Sequence, residues 1–261
     1  MDIQIFQVDA FTDKVFGGNQ AAVCLLNEWI PDEVLLKITK ENNLAETAFF
    51  VAVDDKFHIR WFTPDIEMDL CGHATLATAH VIFNHLRYKK DVIKFTSASG
   101  NLEVFKDGDL ICLDFPSRMP LKADLPMAFL KGIGKAPLEV YKSRDYVLIY
   151  ETEEDVANIT PNQALIDTIN IDPGGIIVTA KGNDVDFVSR FFTPQASIFE
   201  DPVTGSAHCS LIPFWAKKLG KNQLIAKQIS QRGGTIYCQN NNSRVIISGK
   251  AITFMQGIIS I

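Results

Sequence analysis

Ile3, Ile5 and Val8 are spaced with polar residues between them, the pattern of a strand with one wet face, and the chain then breaks at Gly17-Gly18-Asn19. From Ala21 to Leu26 the run is apolar throughout, as in a strand covered on both faces. Pro31-Asp32-Glu33 opens a helix: proline suits the first turn, acids suit the positive end of the helix dipole, and Val34, Leu35 and Ile38 form an apolar stripe. Thr47 to Val53 reads as a buried strand, Asp54-Asp55-Lys56 as a turn, and Phe57 to Phe62 as the returning strand of a hairpin. The stretch Gly72 to Leu86 is long enough for a helix and apolar nearly all round, so that helix must be buried on every side.

The same order of patterns returns more loosely in the second half. Tyr146 to Tyr150 reads as a strand, Thr160-Pro161 as the start of a helix through Ile169, and Gly175 to Ala180 with Val185 to Phe192 as a strand pair. Gly205 to Leu219 reads as a second buried helix, with Pro213 predicting a kink. Two further strands, Val245 to Ile247 and Ile252 to Met255, close the chain, and the pattern does not say which half they join. Pro116-Ser117-Arg118-Met119-Pro120, followed by Pro126, is the best linker. It sets a boundary near residue 120, giving domains 1–120 and 121–261.

The parallel order reflects a duplication. Arg60-Trp61-Phe62-Thr63-Pro64 recurs as Arg190-Phe191-Phe192-Thr193-Pro194. Each copy soon reaches a glycine that opens a small-residue stretch, Cys71-Gly72-His73-Ala74-Thr75 in the first and Thr204-Gly205-Ser206-Ala207-His208 in the second. A period this long excludes a solenoid and predicts two similar α+β domains facing one another.

Composition narrows the partners. Among 261 residues, 47% hydrophobic, the net charge is −6 and no basic run occurs, which speaks against nucleic acid and for a small-molecule partner. No apolar stretch reaches the length that spans a bilayer, and the first residues lack a signal peptide's pattern, so a soluble, cytoplasmic protein with no membrane partner is expected. The five cysteines form no CxxC pair and the five histidines no HExxH, and glycine-rich nucleotide fingerprints are missing. The expectation is therefore no metal and no cofactor.

A buried helix that starts at Gly72 or Gly205 presents unpaired N–H groups and the positive end of its dipole, a place for a carboxylate. Two such ends are expected to face one cleft. The copies differ chemically. Aligning Thr47-Ala48-Phe49 with Gly174-Gly175-Ile176 sets Glu46 opposite Pro173, while Asp201 has Met68 or Asp69 opposite it. Glu46 beside the apolar run Ala48-Phe49-Phe50 suits a proton carrier, since burial disfavours its charged form; a solvated loop acid is the other reading.

Phe16-Gly17-Gly18-Asn19, Ala45-Glu46-Thr47-Ala48-Phe49, Phe62-Thr63-Pro64, Asp69-Leu70-Cys71-Gly72-His73-Ala74-Thr75 and Glu200-Asp201-Pro202-Val203-Thr204-Gly205-Ser206-Ala207 together resemble the PhzF (phenazine biosynthesis) family of isomerases, from about residue 3 to the end. Broader relatives are diaminopimelate epimerases and proline racemases. The resemblance implies a diaminopimelate epimerase-like fold, in each domain a partly closed, barrel-like sheet around a central helix. It implies a homodimer, no metal and no organic cofactor. It also implies Glu46 as the acid/base, helped by His73 and Asp201, with Asn19, Gly72, Thr75, Gly205 and Ser206 around the substrate.

In the epimerase relatives two opposed cysteines exchange the proton, each just before its glycine; here Cys71 holds the first place and Thr204 the second, so the two-thiol mechanism is unavailable and Cys71 reads as a relic, a core thiol or one partner of an unusual acid pair. Gln20 stands where the family often has proline, which changes the pocket. The reading is an isomerase that shifts a double bond on a small carboxylic acid by Glu46 catalysis. The alternatives are an amino-acid or hydroxyamino-acid epimerase, for which Cys71 would be essential, and a non-catalytic carboxylate binder.

Overall fold

A computed structural model describes residues 1–171 and 174–261. Pro173, aligned above with Glu46, lies outside the described residues. The chain divides into two compact units, the first made of Met1–Asp114 with Ile247–Ile261 and the second of Phe115–Ile246. The sequence boundary near 120 is thus moved to 114, and the second unit stops short of the C-terminus. The cause is strand pairing: Ala251–Ser260 runs antiparallel to Asp2–Ala10 along its whole length, from Asp2 opposite Ser260 to Ala10 opposite Ala251.

In the first unit, Asp2–Ala10 also pairs antiparallel with Asn19–Leu26, which lies parallel to Glu46–Val53. Glu46–Val53 forms the expected hairpin with Lys56–Phe62, which is parallel to Val92–Ser97; Gly100–Asp107 and Leu110–Pro116 follow in antiparallel order. The apolar runs arise because these strands are covered twice. Ala22, Cys24, Leu26, Phe49 and Val51 pack with Leu35 and Ile38 of the helix Asp32–Asn42. The helix Gly72–Asn84 packs on the same strands. Residues 73–83 of that helix are all buried except His80, which is why its sequence has no polar face.

The second unit repeats the plan. Tyr146–Ile149 lies parallel to Ile176–Lys181, which forms a hairpin with Phe187–Phe192; that strand is parallel to Gln223–Gln228, and Gly234–Asn241 follows antiparallel. Its central helix is Gly205–Leu219, with Pro213 inside it. Phe129, Leu148, Val156, Ile166, Ile176, Val178 and Phe192 belong to one core. The helix expected from Thr160-Pro161 through Ile169 is shorter, Gln163–Ile166 capped by Asn162, and a separate short helix, Glu153–Ala157 capped by Thr152, precedes it. Pro161 keeps Thr160 out of the helix, because proline disfavours helical backbone in the residue before it. Each unit is therefore a sheet wrapped on a central buried helix, an α+β fold built twice.

Candidate active site

The repeated Arg-x-Phe phrase builds the same clamp in both units. Arg60 grips Glu67 with two parallel bonds of 2.7 and 2.6 Å, and Arg190 grips Glu200 with bonds of 2.7 and 2.9 Å. Each guanidinium also sits 5.0 Å from the ring of the phenylalanine two residues on, Phe62 or Phe192. A planar fork on a carboxylate fixes direction as well as distance. The clamped residue in each case starts a two-residue strand, Glu67–Met68 or Glu200–Asp201. Met68 lies opposite Trp61 and Asp201 opposite Phe191, so Asp201 occupies the place of Met68.

The same registers correct the alignment of Glu46. Thr47 lies opposite Phe62 and Ile176 opposite Phe192, so Gly175, not Pro173, corresponds to Glu46. A side chain there would displace a neighbour: a Cβ on Gly175 would lie 2.3 Å from the Phe191 ring. The second unit also has a carboxylate at this strand entrance, supplied from a neighbouring segment. Asp145, 2% exposed, accepts the Gly175 N–H at 2.9 Å, and burial pushes its carboxyl above the usual range.

In the first unit the sequence-selected residues come together. Glu46 begins its strand with a side chain 17% exposed, and its Oε2 meets Nε2 of His73 at 3.0 Å. Both atoms are sealed from solvent and have no other hydrogen-bond partner among the described residues. On the opposite side of the ring, Nδ1 lies 3.1 Å from Nδ2 of Asn19 and 3.6 Å from Sγ of Cys71. Burial works against a charged ring, but the Glu46 carboxylate at 3.0 Å favours it, and His73 is raised above its ordinary value. Burial, and then the Glu46 carboxylate, push the Cys71 thiol up. The arrangement can hold a proton between a carboxylate and an imidazole, with the carboxylate the more open of the two.

Glu46, Cys71 and His73 offer an oxygen, a sulfur and a nitrogen within 4.8 Å of one another, a donor set within zinc's chemistry. Their closest contacts nevertheless use opposite ring nitrogens, so the imidazole stands between thiol and carboxylate as a bridge. Thr75 is fully buried and its hydroxyl donates to the Cys71 carbonyl, bracing the first turn of the helix. Gly72 opens that helix, and the side chain of Cys71, its N-cap, makes no capping bond.

In the second unit, Thr204 is the N-cap of the central helix and likewise leaves it without a side-chain cap. Its hydroxyl donates to Oδ2 of Asp201 at 2.6 Å. Gly205 is buried and Ser206 partly so. His208, one turn in, is fully buried with Nδ1 2.8 Å from the Thr204 carbonyl, and burial lowers it to about 4. Gln228, 1% exposed, ties Asp201 and Thr204 together; sequence reasoning missed it, since nothing in Gln223–Gln228 sets that glutamine apart.

The family model described as "Phenazine biosynthesis-like protein" matches residues 8–257. A protein of Pseudomonas aeruginosa named an uncharacterized isomerase is 46% identical over 259 residues, covering 99% of each chain. The crystal structure of a PhzF family phenazine biosynthesis protein from Enterococcus faecalis covers 100% of both chains at 45% identity with a TM-score of 0.96. A hydroxyproline epimerase from Agrobacterium vitis shares the fold alone, with 8% identity, 99% of this chain and 92% of that chain covered, and a TM-score of 0.62.

Proposed function

The chain belongs to the phenazine biosynthesis-like protein family, and from that premise we propose that it is an isomerase that moves a proton on a small carboxylic acid, with Glu46 as the acid/base and neither metal nor organic cofactor required. The observation that carries this reading is the Glu46–His73 pair, a partly open carboxylate backed at 3.0 Å by a buried imidazole. As a carboxylate, Glu46 takes a proton from a carbon beside an activating group. The C–H electron pair becomes the new double bond while the pair of the old double bond moves to the carbon further along and takes the proton back there, so atoms, electrons and charge balance. The uncapped first turns at Gly72 and Gly205 supply N–H donors suited to the substrate's carboxylate and to developing negative charge. Asp201 is the second acid acting on the substrate, and Asn19 holds the far side of the His73 ring.

The test is incubation of metabolite extract with the protein in deuterated water, reading which small acids gain deuterium. Glu46→Gln keeps shape but cannot carry a proton, so labelling is expected to fall by about 100- to 10,000-fold. His73→Ala and Asp201→Asn lower it as well. Labelling at the wild-type rate by folded Glu46→Gln removes Glu46 from the role. Chelator treatment is expected to leave labelling unchanged; loss restored by a divalent ion overturns the metal-free reading.

A further inference from the structure

We infer that Thr204 and Gln228 are positioning residues that aim the Asp201 carboxylate. The inference rests on the reading above in which Asp201 takes part in the reaction. Thr204 stands where the first unit has Cys71, directly before the glycine of the central helix. The second unit has no thiol there and uses the position differently: the hydroxyl donates to Oδ2 of Asp201 at 2.6 Å.

That hydroxyl is itself held from behind. Gln228, 1% exposed, ends the strand Gln223–Gln228. Its Oε1 accepts the Thr204 backbone N–H at 2.9 Å, while Nε2 donates to the Asp201 carbonyl at 2.6 Å and to the Thr204 hydroxyl at 3.2 Å. Only one orientation of the amide satisfies all three contacts, because turning it over would set an N–H against an N–H and an oxygen against a carbonyl. With Nε2 donating to its oxygen, the Thr204 hydroxyl has its own proton free for Asp201. The network therefore has one proton arrangement, and it delivers a charge-assisted hydrogen bond to the ionised form of Asp201. The Arg190–Glu200 clamp fixes the residue before Asp201, and Gln228 fixes the residue itself through its carbonyl. The first unit puts Met68 at the Asp201 position and its thiol against His73, so this device belongs to the second unit alone.

The test reads the Asp201 carboxyl by 13C NMR titration of its side-chain carbon, assigned by the signal missing in Asp201→Asn. Losing a hydrogen bond to a charged acceptor destabilises the ionised form, so Thr204→Val is expected to move the titration midpoint up by about one pH unit relative to wild type. Thr204→Ser, which keeps the hydroxyl, is expected to restore it. Gln228→Met, which keeps the volume and removes the amide, is expected to speed hydrogen exchange of the Thr204 N–H at least about tenfold and to move the Asp201 midpoint in the same direction. An unchanged midpoint in folded Thr204→Val overturns the inference, as does failure of Thr204→Ser to restore it. Should Thr204→Val not fold, the Thr204→Ser and Gln228→Met titrations decide by themselves. Unchanged deuterium labelling by Asp201→Asn sinks the catalytic reading of Asp201 and leaves these titrations to be judged separately.

Discussion

At the scale of single residues, the division of labour follows from what each neighbour permits. Glu46 can exist at its strand entrance because the first unit leaves room for a side chain there; at the matching Gly175, the Phe191 ring fills that room. Gly175→Ala is therefore expected to cost about 1–3 kcal/mol by overpacking, measured as a shift of the urea midpoint, with a Phe191→Leu background relieving most of it. Cys71 presents a different case. Burial and the nearby carboxylate keep the thiol protonated, which argues against a nucleophile and for slow alkylation. Cys71→Ser is expected to retain most labelling activity; a loss of about a hundredfold would show that the thiol itself carries a proton.

The elements show why the phrases repeat. Arg60 and Arg190 were legible as a duplicated motif, and their task, clamping a two-residue strand, became visible only when Glu67 and Glu200 came into reach. Both guanidiniums have a further partner: Arg60 donates to the exposed Asp32 carboxylate at 2.9 Å, whereas Arg190 donates to the Ile159 carbonyl at 2.7 Å in a partly buried contact. Lysine cannot reproduce a fork, so Arg60→Lys is expected to cost about 1 kcal/mol and Arg190→Lys about 2 kcal/mol in chemical denaturation. The second central helix carries a pH dependence. His208 is neutral when folded, its value lowered to about 4, so the unfolded chain binds more protons below about 6.5. Stability is then present above that pH and lost as the pH falls toward 4, by about 3 kcal/mol from this residue. His73, held high, contributes stability that is fully present below its ordinary value and is lost as the pH rises, and it does so alike in wild type and in His208→Gln. Urea midpoints of His208→Gln between pH 6.5 and 4 are expected to vary less than those of wild type; equal slopes would refute the assignment.

For the whole molecule, the decisive long-range fact is that the last strand belongs to the first unit. Asp2–Ala10 has Asn19–Leu26 on one edge and Ala251–Ser260 on the other. A chain ending at Ile246 would leave that edge unpaired and open to other chains. Hydrogen exchange is expected to show protection lost in Asp2–Ala10 of this truncation while strands of the second unit, such as Ile176–Lys181, stay protected. Retained protection in Asp2–Ala10 would show that the last strand is dispensable. Among the described residues, no helix is long and apolar enough to cross a membrane.

Periodicity and the repeated phrases were sufficient for the two buried helices, their hairpins and the duplication, because side-chain patterning at 3.6 and 2 residues is a local consequence of which faces are covered. The differences between the two copies also singled out Glu46 and Asp201, and the family resemblance added His73. Three things lay beyond them. The alignment of Glu46 with Gly175 depends on strand register, which is set by pairing across the sheet. The home of Ala251–Ser260 depends on an edge offered about 240 residues earlier. Gln228 and Asp145 act through contacts with residues 24 and 30 positions away, and a polar residue in an ordinary strand or loop carries no local mark of the partner that folding will bring to it.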